Sequence, residues 1–181
     1  NGIARVVVAT QEGYDSADAA ALVRTLDFVG FEGDILDDLA RRDFTINAIA
    51  VPSVAVAEYF EKPGSGFASV LERAVDPYDG LGDIESGILR MVSPEAFLDD
   101  PGRLLRAVRL SAQFHLVFDR ATEEQLRAAA DSVKDVSSER SREELLKILR
   151  LNGADVSLRL MDRLGLLTAL IPELEAGRDV E

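Results

Sequence analysis

The chain of 181 residues has no cysteine, which excludes a disulfide framework, a thiolate metal site and a cysteine nucleophile. That composition suits a reducing compartment, and a cytoplasmic location is the expectation. Long apolar runs are also missing. The longest, residues 48–57, is broken by Pro52 and Ser53 and falls far short of the ~20 residues a membrane span needs. No membrane partner is expected, and nothing near Asn1 resembles a secretory leader. Histidine occurs once: His115, between Phe114 and Leu116, fits a partly buried helix-end residue better than a ligand or general base. Positive charge is scarce, with 20 Lys and Arg against 33 Asp and Glu and a net charge of −13. The molecule as a whole therefore offers no simple attraction to a nucleic-acid backbone, and a phosphate-bearing ligand must be met by a local basic patch. Apolar residues are plentiful at 47%, enough to bury a core, so a disordered tail is ruled out.

The apolar run at residues 5–9, with Val6, Val7 and Val8, predicts a buried strand with no initiator Met before it. The polar trailing segment 172–181 completes the expectation of a piece from a longer protein. Further apolar runs at 48–57 and 88–92 are separated by Gly, Pro and Asp clusters, with turn chemistry at 63–66 and 78–80. This pattern predicts a mixed sheet lobe to about residue 91. Strand signals then give way to helix starts. Ser93-Pro94-Glu95 and Asp100-Pro101 place a capping side chain before Pro at the first helical position, opening a long helix to about Phe114. Thr122-Glu123-Glu124 opens another and Ser137 or Ser138 a third, which Asn152-Gly153 stops. Residues 155–164 and 166–171 complete the helical lobe, ended by Pro172. The fold class read from this order is α+β.

Two stretches concentrate chemistry. In the first, 37–48, charged residues crowd a short helix and then yield to an apolar strand. Arg41 and Arg42 beside Asp43 suit either a grip on a triphosphate or a solvated helix end. In the second, 98–109, Arg103, Arg106 and Arg109 recur every third residue and drift only slowly around one helix face. Asp100 lies one turn before Arg103, which sets an acceptor-only carboxylate beside a planar five-donor fork. The pair can read the edge of a nucleobase, or Asp100 can cap the helix and salt-bridge Arg103. Glu139, Arg140, Arg142 and Glu143 suit salt bridges beneath that helix or contacts to RNA.

In order along the chain stand Arg41-Arg42-Asp43-Phe44-Thr45-Ile46-Asn47-Ala48, Asp76-Pro77-Tyr78-Asp79-Gly80-Leu81-Gly82-Asp83-Ile84, Asp100-Pro101-Gly102-Arg103-Leu104-Leu105-Arg106 and Ser138-Glu139-Arg140-Ser141-Arg142-Glu143-Glu144-Leu145. With these segments the chain resembles the bacterial tRNA nucleotidyltransferase and poly(A) polymerase family from about Phe28 to Leu174. The resemblance implies a partial nucleotidyltransferase head at 1–91, a short mixed sheet plus helices, followed by an all-α neck and body at 92–181. It implies template-independent addition of CMP or AMP to an RNA 3′ end, of the CCA-adding type on tRNA, with CTP and ATP as substrates. Asp100 and Arg103 then bond the base edge, and Arg42, Arg106 and Arg109 meet the phosphates. Arg41, Asp43, Asn47, Asp99, Glu139 and Arg140 support them. Asp79 stands where the family usually has a second Gly, in a turn between head and neck, and Asp99 where it often has Glu.

The family begins with a Gly-Gly phosphate loop and an Asp-x-Asp pair for the two Mg²⁺ ions of phosphoryl transfer. The chain has neither Gly-Gly nor two Asp spaced by two. Glu12 and Asp15 match no family carboxylate, and Gly64-Ser65-Gly66 follows the first motif and is no substitute loop. No catalytic or metal-binding residue is therefore expected in this chain; the Mg²⁺ ligands are expected in a segment before it, and the chain is expected to select the nucleotide. The rival expectation is a non-catalytic helical RNA-binding or scaffolding module using the basic stripe.

Overall fold

The computed structural model describes residues 3–10, 22–30, 33–61 and 66–177, and the chain divides into two compact units, 1–38 and 39–181. In the first unit β1 (Ile3–Thr10) pairs antiparallel with β2 (Leu22–Val29), in register from Ile3 opposite Val29 to Thr10 opposite Leu22. The strand expected at 5–9 is present and longer. Its partner was not legible, because Arg24 and Asp27 interrupt the apolar alternation of β2. Glu12, Asp15, Gly64 and Ser65 lie outside the described residues. Helix α1 (Ile35–Ala40) opens on a reciprocal cap, in which the Asp37 amide donates to Asp34 Oδ1 and the Asp34 amide to Asp37 Oδ2, at 3.0 and 3.2 Å.

In the second unit the apolar run at 48–57 is not a strand. Phe44 and Ala50 make isolated bridges to Met91 and Val75, a 3-10 turn (Thr45–Asn47) lies between them, and α2 (Ser53–Glu61) takes the rest. Pro52 decides the outcome: its ring fixes φ for a helix start, and its carbonyl accepts from Ala55 and Val56. Short helices α3 (Ala68–Leu71) and α4 (Gly80–Ser86) follow. Among the described residues the expected mixed sheet is instead two two-stranded sheets, the second pairing β3 (Ile88–Leu89) parallel with β4 (Val117–Phe118). A parallel pair needs a crossover, and α5 (Ala96–Asp99) and α6 (Gly102–Phe114) supply it. β4 is also a strand inside the region expected to be all helical.

The remaining helices are α7 (Arg120–Ala128), a 3-10 segment (Ala130–Asp135), α8 (Ser138–Leu149), α9 (Ala154–Arg163) and α10 (Leu166–Leu170), ending in a 3-10 turn (Pro172–Gly177). Asp119 rather than Thr122 caps α7, its side chain accepting from the Thr122 amide, while Ser137 caps α8 as expected. His115 ends α6 in the left-handed conformation and is exposed rather than partly buried. One face of α6, through Leu104, Leu105, Ala107 and Val108, is fully buried against α8, α9 and the Ala130–Asp135 segment. Phe44 and Leu89 join this same core, so the first motif is anchored to the helical lobe by burial as well as by chain connection.

Candidate functional site

The opposite, polar edge of α6 opens on a cleft of about 440 Å³ between the loop after α1 and α8. The loop and the 3-10 turn after it contribute Arg41, Arg42, Asp43 and Asn47; α6 contributes Arg103 and Arg106, and Asp100 stands two residues before it; α8 contributes Arg140, Glu143 and Glu144. Five arginines meet four carboxylates in this lining, a local basic excess inside a chain of net charge −13.

Asp100 links α5 to α6 in an extended conformation, as a residue before proline favours. Its Oδ1 accepts the Gly102 amide at 3.0 Å, capping α6. The charged partner is not Arg103 but Arg140, 40 positions later, whose Nη2 donates to Oδ1 at 3.1 Å and Oδ2 at 2.8 Å. Arg103 instead donates to backbone carbonyls, Nη1 to Ala96 at 3.0 Å and Nη2 to Arg41 at 2.6 Å. A guanidinium has five N–H donors, so these two bonds fix its plane and leave donors over. Asp43 is buried and pairs with Arg106; its Oδ1 also accepts the Phe44 amide at 2.9 Å and Asn47 Nδ2 at 3.0 Å. Asp43 thus organises the loop and orients Arg106, whose side chain remains 44% exposed to the cleft.

The other expected residues lie outside the cleft lining. Arg109, with only 14% of its side chain exposed, donates through Nε to Glu144 at 2.6 Å and through Nη1 to Gln113 at 3.0 Å. Asp99 and Glu139 are exposed and do not line the cleft. Burial works to raise the Asp100 carboxyl, but the bonds from Arg140 and Gly102 and the charges of Arg140 and Arg103 outweigh it and hold the group below its ordinary value. Glu144 follows the same logic: burial is outweighed by Lys147 and Arg109, and the carboxyl is lowered. The bond to Asp100 and its charge hold the Arg140 guanidinium above its usual range.

Sequence reasoning missed Glu144, Gly102 and a second polar network that holds the loop from behind. Buried Asp83 accepts from Thr45 Oγ1 at 2.7 Å and from Arg90 Nε and Nη2 at 3.0 and 3.1 Å. Arg90 Nη1 reaches Asp119 at 2.9 Å, and the Thr45 amide donates to the Arg90 carbonyl at 2.9 Å. The hydrogen bond to Asp83 raises the Arg90 guanidinium, against the opposing effect of burial. No spacing signal could reveal partners 38 and 29 positions apart; for Glu144 the available signal was the fourth motif itself.

Among the described residues no three Asp, Glu or His side chains converge as a metal site. The described residues do not supply the ligand set of the family's Mg²⁺ pair. Among the described residues, too, no helix is long and apolar enough to cross a membrane.

Comparison with known proteins agrees with this architecture. Residues 6–90 match the poly A polymerase head domain, and residues 115–177 match the probable RNA and SrmB-binding site of polymerase A. The chain is 40% identical over 126 residues to the CC-adding tRNA nucleotidyltransferase of Synechocystis sp., covering 69% of this chain and 26% of that protein. It is 34% identical over 157 residues to the A-adding tRNA nucleotidyltransferase of Deinococcus radiodurans, covering 84% and 32%. The Thermotoga maritima CCA-adding enzyme complexed with tRNA superposes with a TM-score of 0.68 at 28% identity, over 82% of this chain and 34% of that one. The two matches together span most of the chain, and the chain belongs to the tRNA nucleotidyltransferase and poly(A) polymerase family. It spans about a quarter to a third of the length of these relatives.

Proposed function

We propose that the chain is the nucleotide-selecting part of an enzyme that adds CMP or AMP, without a template, to the 3′ end of tRNA in the cytoplasm. Residues 1–91 belong to its head and 92–181 to its neck and body. One observation carries the reading: an ionised acceptor, Asp100, and a guanidinium fixed in plane with donors to spare, Arg103, share one cleft with Arg41, Arg42 and Arg106. Cytosine and adenine each present an amino donor next to a ring-nitrogen acceptor. Uracil and guanine present a carbonyl next to an N–H. An acceptor-plus-donor pair complements the first two and opposes the others. Arg42 and Arg106 hold the triphosphate, while Arg109, tied to Glu144, contributes charge from behind. CTP and ATP are the nucleotide substrates, and the tRNA 3′ end is the acceptor.

The two groups of residues fail differently when altered. Arg106→Ala removes a contact common to all nucleotides and weakens CTP and ATP together by about 1.5 to 3 kcal/mol. Asp100→Ala removes the recognition pattern, so discrimination against UTP and GTP collapses. Competition binding of the four triphosphates measures both; an Asp100→Ala chain that keeps the CTP over UTP ratio overturns the base-reading role. The match of residues 115–177 to an RNA-binding region favours a second reading, a helical RNA-binding or scaffolding module. It predicts RNA binding with no preference among free nucleotides.

A further inference from the structure

We propose that Arg140, seated in a slot that exists because residue 102 is glycine, fixes Asp100 as an obligate hydrogen-bond acceptor and is the positioning residue through which the cleft distinguishes amino-bearing from carbonyl-bearing bases. The inference rests on the base-reading role of Asp100 given above and adds what enforces it. A carboxylate in a cleft can rotate, and it can take up a proton and become a donor. Here both freedoms are restrained. The Gly102 amide holds Oδ1, and Arg140 Nη2 spans Oδ1 and Oδ2, so the plane of the carboxylate is set from two elements. The lone-pair capacity that remains belongs to Oδ2.

The slot is sterically specific. A Cβ built on Gly102 lies 2.6 Å from Arg140 Nη2 and 3.1 Å from its Cζ, and 3.1 Å from Asp100 Oδ1. Any side chain there displaces the guanidinium, which is the far end of a flexible chain, rather than the backbone of α6. The Arg140 side chain is 58% exposed. The charged groups facing Asp100 divide by element. From α6 come Arg103 and Arg106, from α8 Glu143 and Glu144, and from the loop Arg41, Arg42 and Asp43. Arg106 and Glu144 are already neutralised by Asp43 and by Arg109 with Lys147. Arg103 faces backbone carbonyls. Arg140 is the cation that hydrogen-bonds the carboxylate directly.

The sign follows. With Arg140 in place, Asp100 stays ionised as pH falls toward its lowered value. Without Arg140 burial is opposed only by the Gly102 bond and the Arg103 charge, so Asp100 takes up a proton at a higher pH than it does with Arg140 in place. Protonated, it donates to the uracil carbonyl and loses its acceptor match to the cytosine amino group. Discrimination is therefore lost from the acid side, and earlier in variants lacking the contact.

The test is CTP and UTP binding to the complete chain by calorimetry from about pH 8 to about pH 5, for the unaltered chain and for Arg140→Gln, Gly102→Ala and Arg140→Lys. The unaltered chain is expected to hold its CTP over UTP ratio across the range. Arg140→Gln and Gly102→Ala are expected to show a lower ratio than the unaltered chain, by up to roughly tenfold, the worth of one charge-assisted hydrogen bond, and to lose more of it toward the acid end of the range. Arg140→Lys retains a charge without the fork and falls between. Gly102→Ala guards against a folding artefact, because alanine suits a helix start and leaves Arg140 in the sequence. If the variants weaken both nucleotides alike with the ratio and its pH profile unchanged, Arg140 is merely structural and the inference is overturned. If the unaltered chain shows no preference for CTP over UTP, the base-reading role itself fails, and that result is distinguishable from the former.

Discussion

At the scale of single residues, the turn that leads into α4 shows how a departure from the family pattern is absorbed. Asp79 has φ 56° and ψ 38°, the left-handed region, which glycine enters freely and aspartate enters at some cost. The structure thus gives the reason for the glycine usual in the family and shows that Asp79 adopts its conformation. Gly80, one position on, has a different necessity: a Cβ there lies 2.2 Å from the Thr45 carbonyl oxygen, which is backbone and cannot give way. The same turn is fixed by Asp76, whose carboxylate accepts the Gly80 and Leu81 amides at 2.7 and 2.9 Å. Asp79→Gly is accordingly expected to stabilise the chain by about 0.5 kcal/mol, the relief of strain less the added freedom of the unfolded chain. Gly80→Ala is expected to destabilise it by about 2 kcal/mol or more through overpacking. Urea unfolding of the two variants against the parent measures both; equal midpoints would remove the steric argument.

At the scale of elements, the cleft depends on how one loop is held to the helices behind it. Asp83 on α4 binds Thr45 of the loop and Arg90 after β3, and Arg90 reaches Asp119 at the cap of α7. Asp83→Ala strands a hydroxyl and part of a guanidinium, and a loss of about 1.5 to 3 kcal/mol is expected. Nucleotide affinity should fall further than in Arg106→Ala, because Arg41, Arg42 and Asp43 lose their common support. Denaturant melts paired with CTP titrations test this, and a variant with full stability and unchanged affinity would show the network to be incidental. Such coupling also marks the limit of reading elements from sequence. Ser137, Gly153 and Pro172 announced helix boundaries because caps and stops are local, acting within one turn. The run at 48–57 misled because its apolar content reflects burial of Ala48 and Ala55 in different local structures. A Pro52 helix start and distant backbone bridges outweighed β propensity there.

At the scale of the whole molecule, the local charge of the cleft runs against the charge of the chain. In a chain of net charge −13, five arginines meet four carboxylates in one cleft, and Asp43 and Asp100 hold two of those guanidinium groups in place. The basic cleft was legible in part because Arg103 and Arg106 stand at helical spacing within one motif, while Arg41, Arg42 and Arg140 come from two others. Its internal pairing was not, since Asp100 meets Arg140 across two helices rather than Arg103 on its own. The role proposed for the cleft is to bind and discriminate; transfer of a nucleotidyl group needs more. Two metal ions activate the attacking 3′-hydroxyl and stabilise the departing pyrophosphate. The Asp-x-Asp pair that holds them in the family has no counterpart in these 181 residues. Selection and transfer are therefore expected to separate experimentally. Given magnesium, labelled CTP and ATP, and tRNA trimmed of its 3′ end, the purified chain should bind nucleotide with the preference argued above and incorporate none. Magnesium-dependent incorporation by the chain alone would mean that a metal site exists among its residues after all. Incorporation restored by supplying a head segment bearing Gly-Gly and Asp-x-Asp, and abolished again by Asp100→Ala or Arg103→Ala, would locate selection in this chain and transfer in its complement.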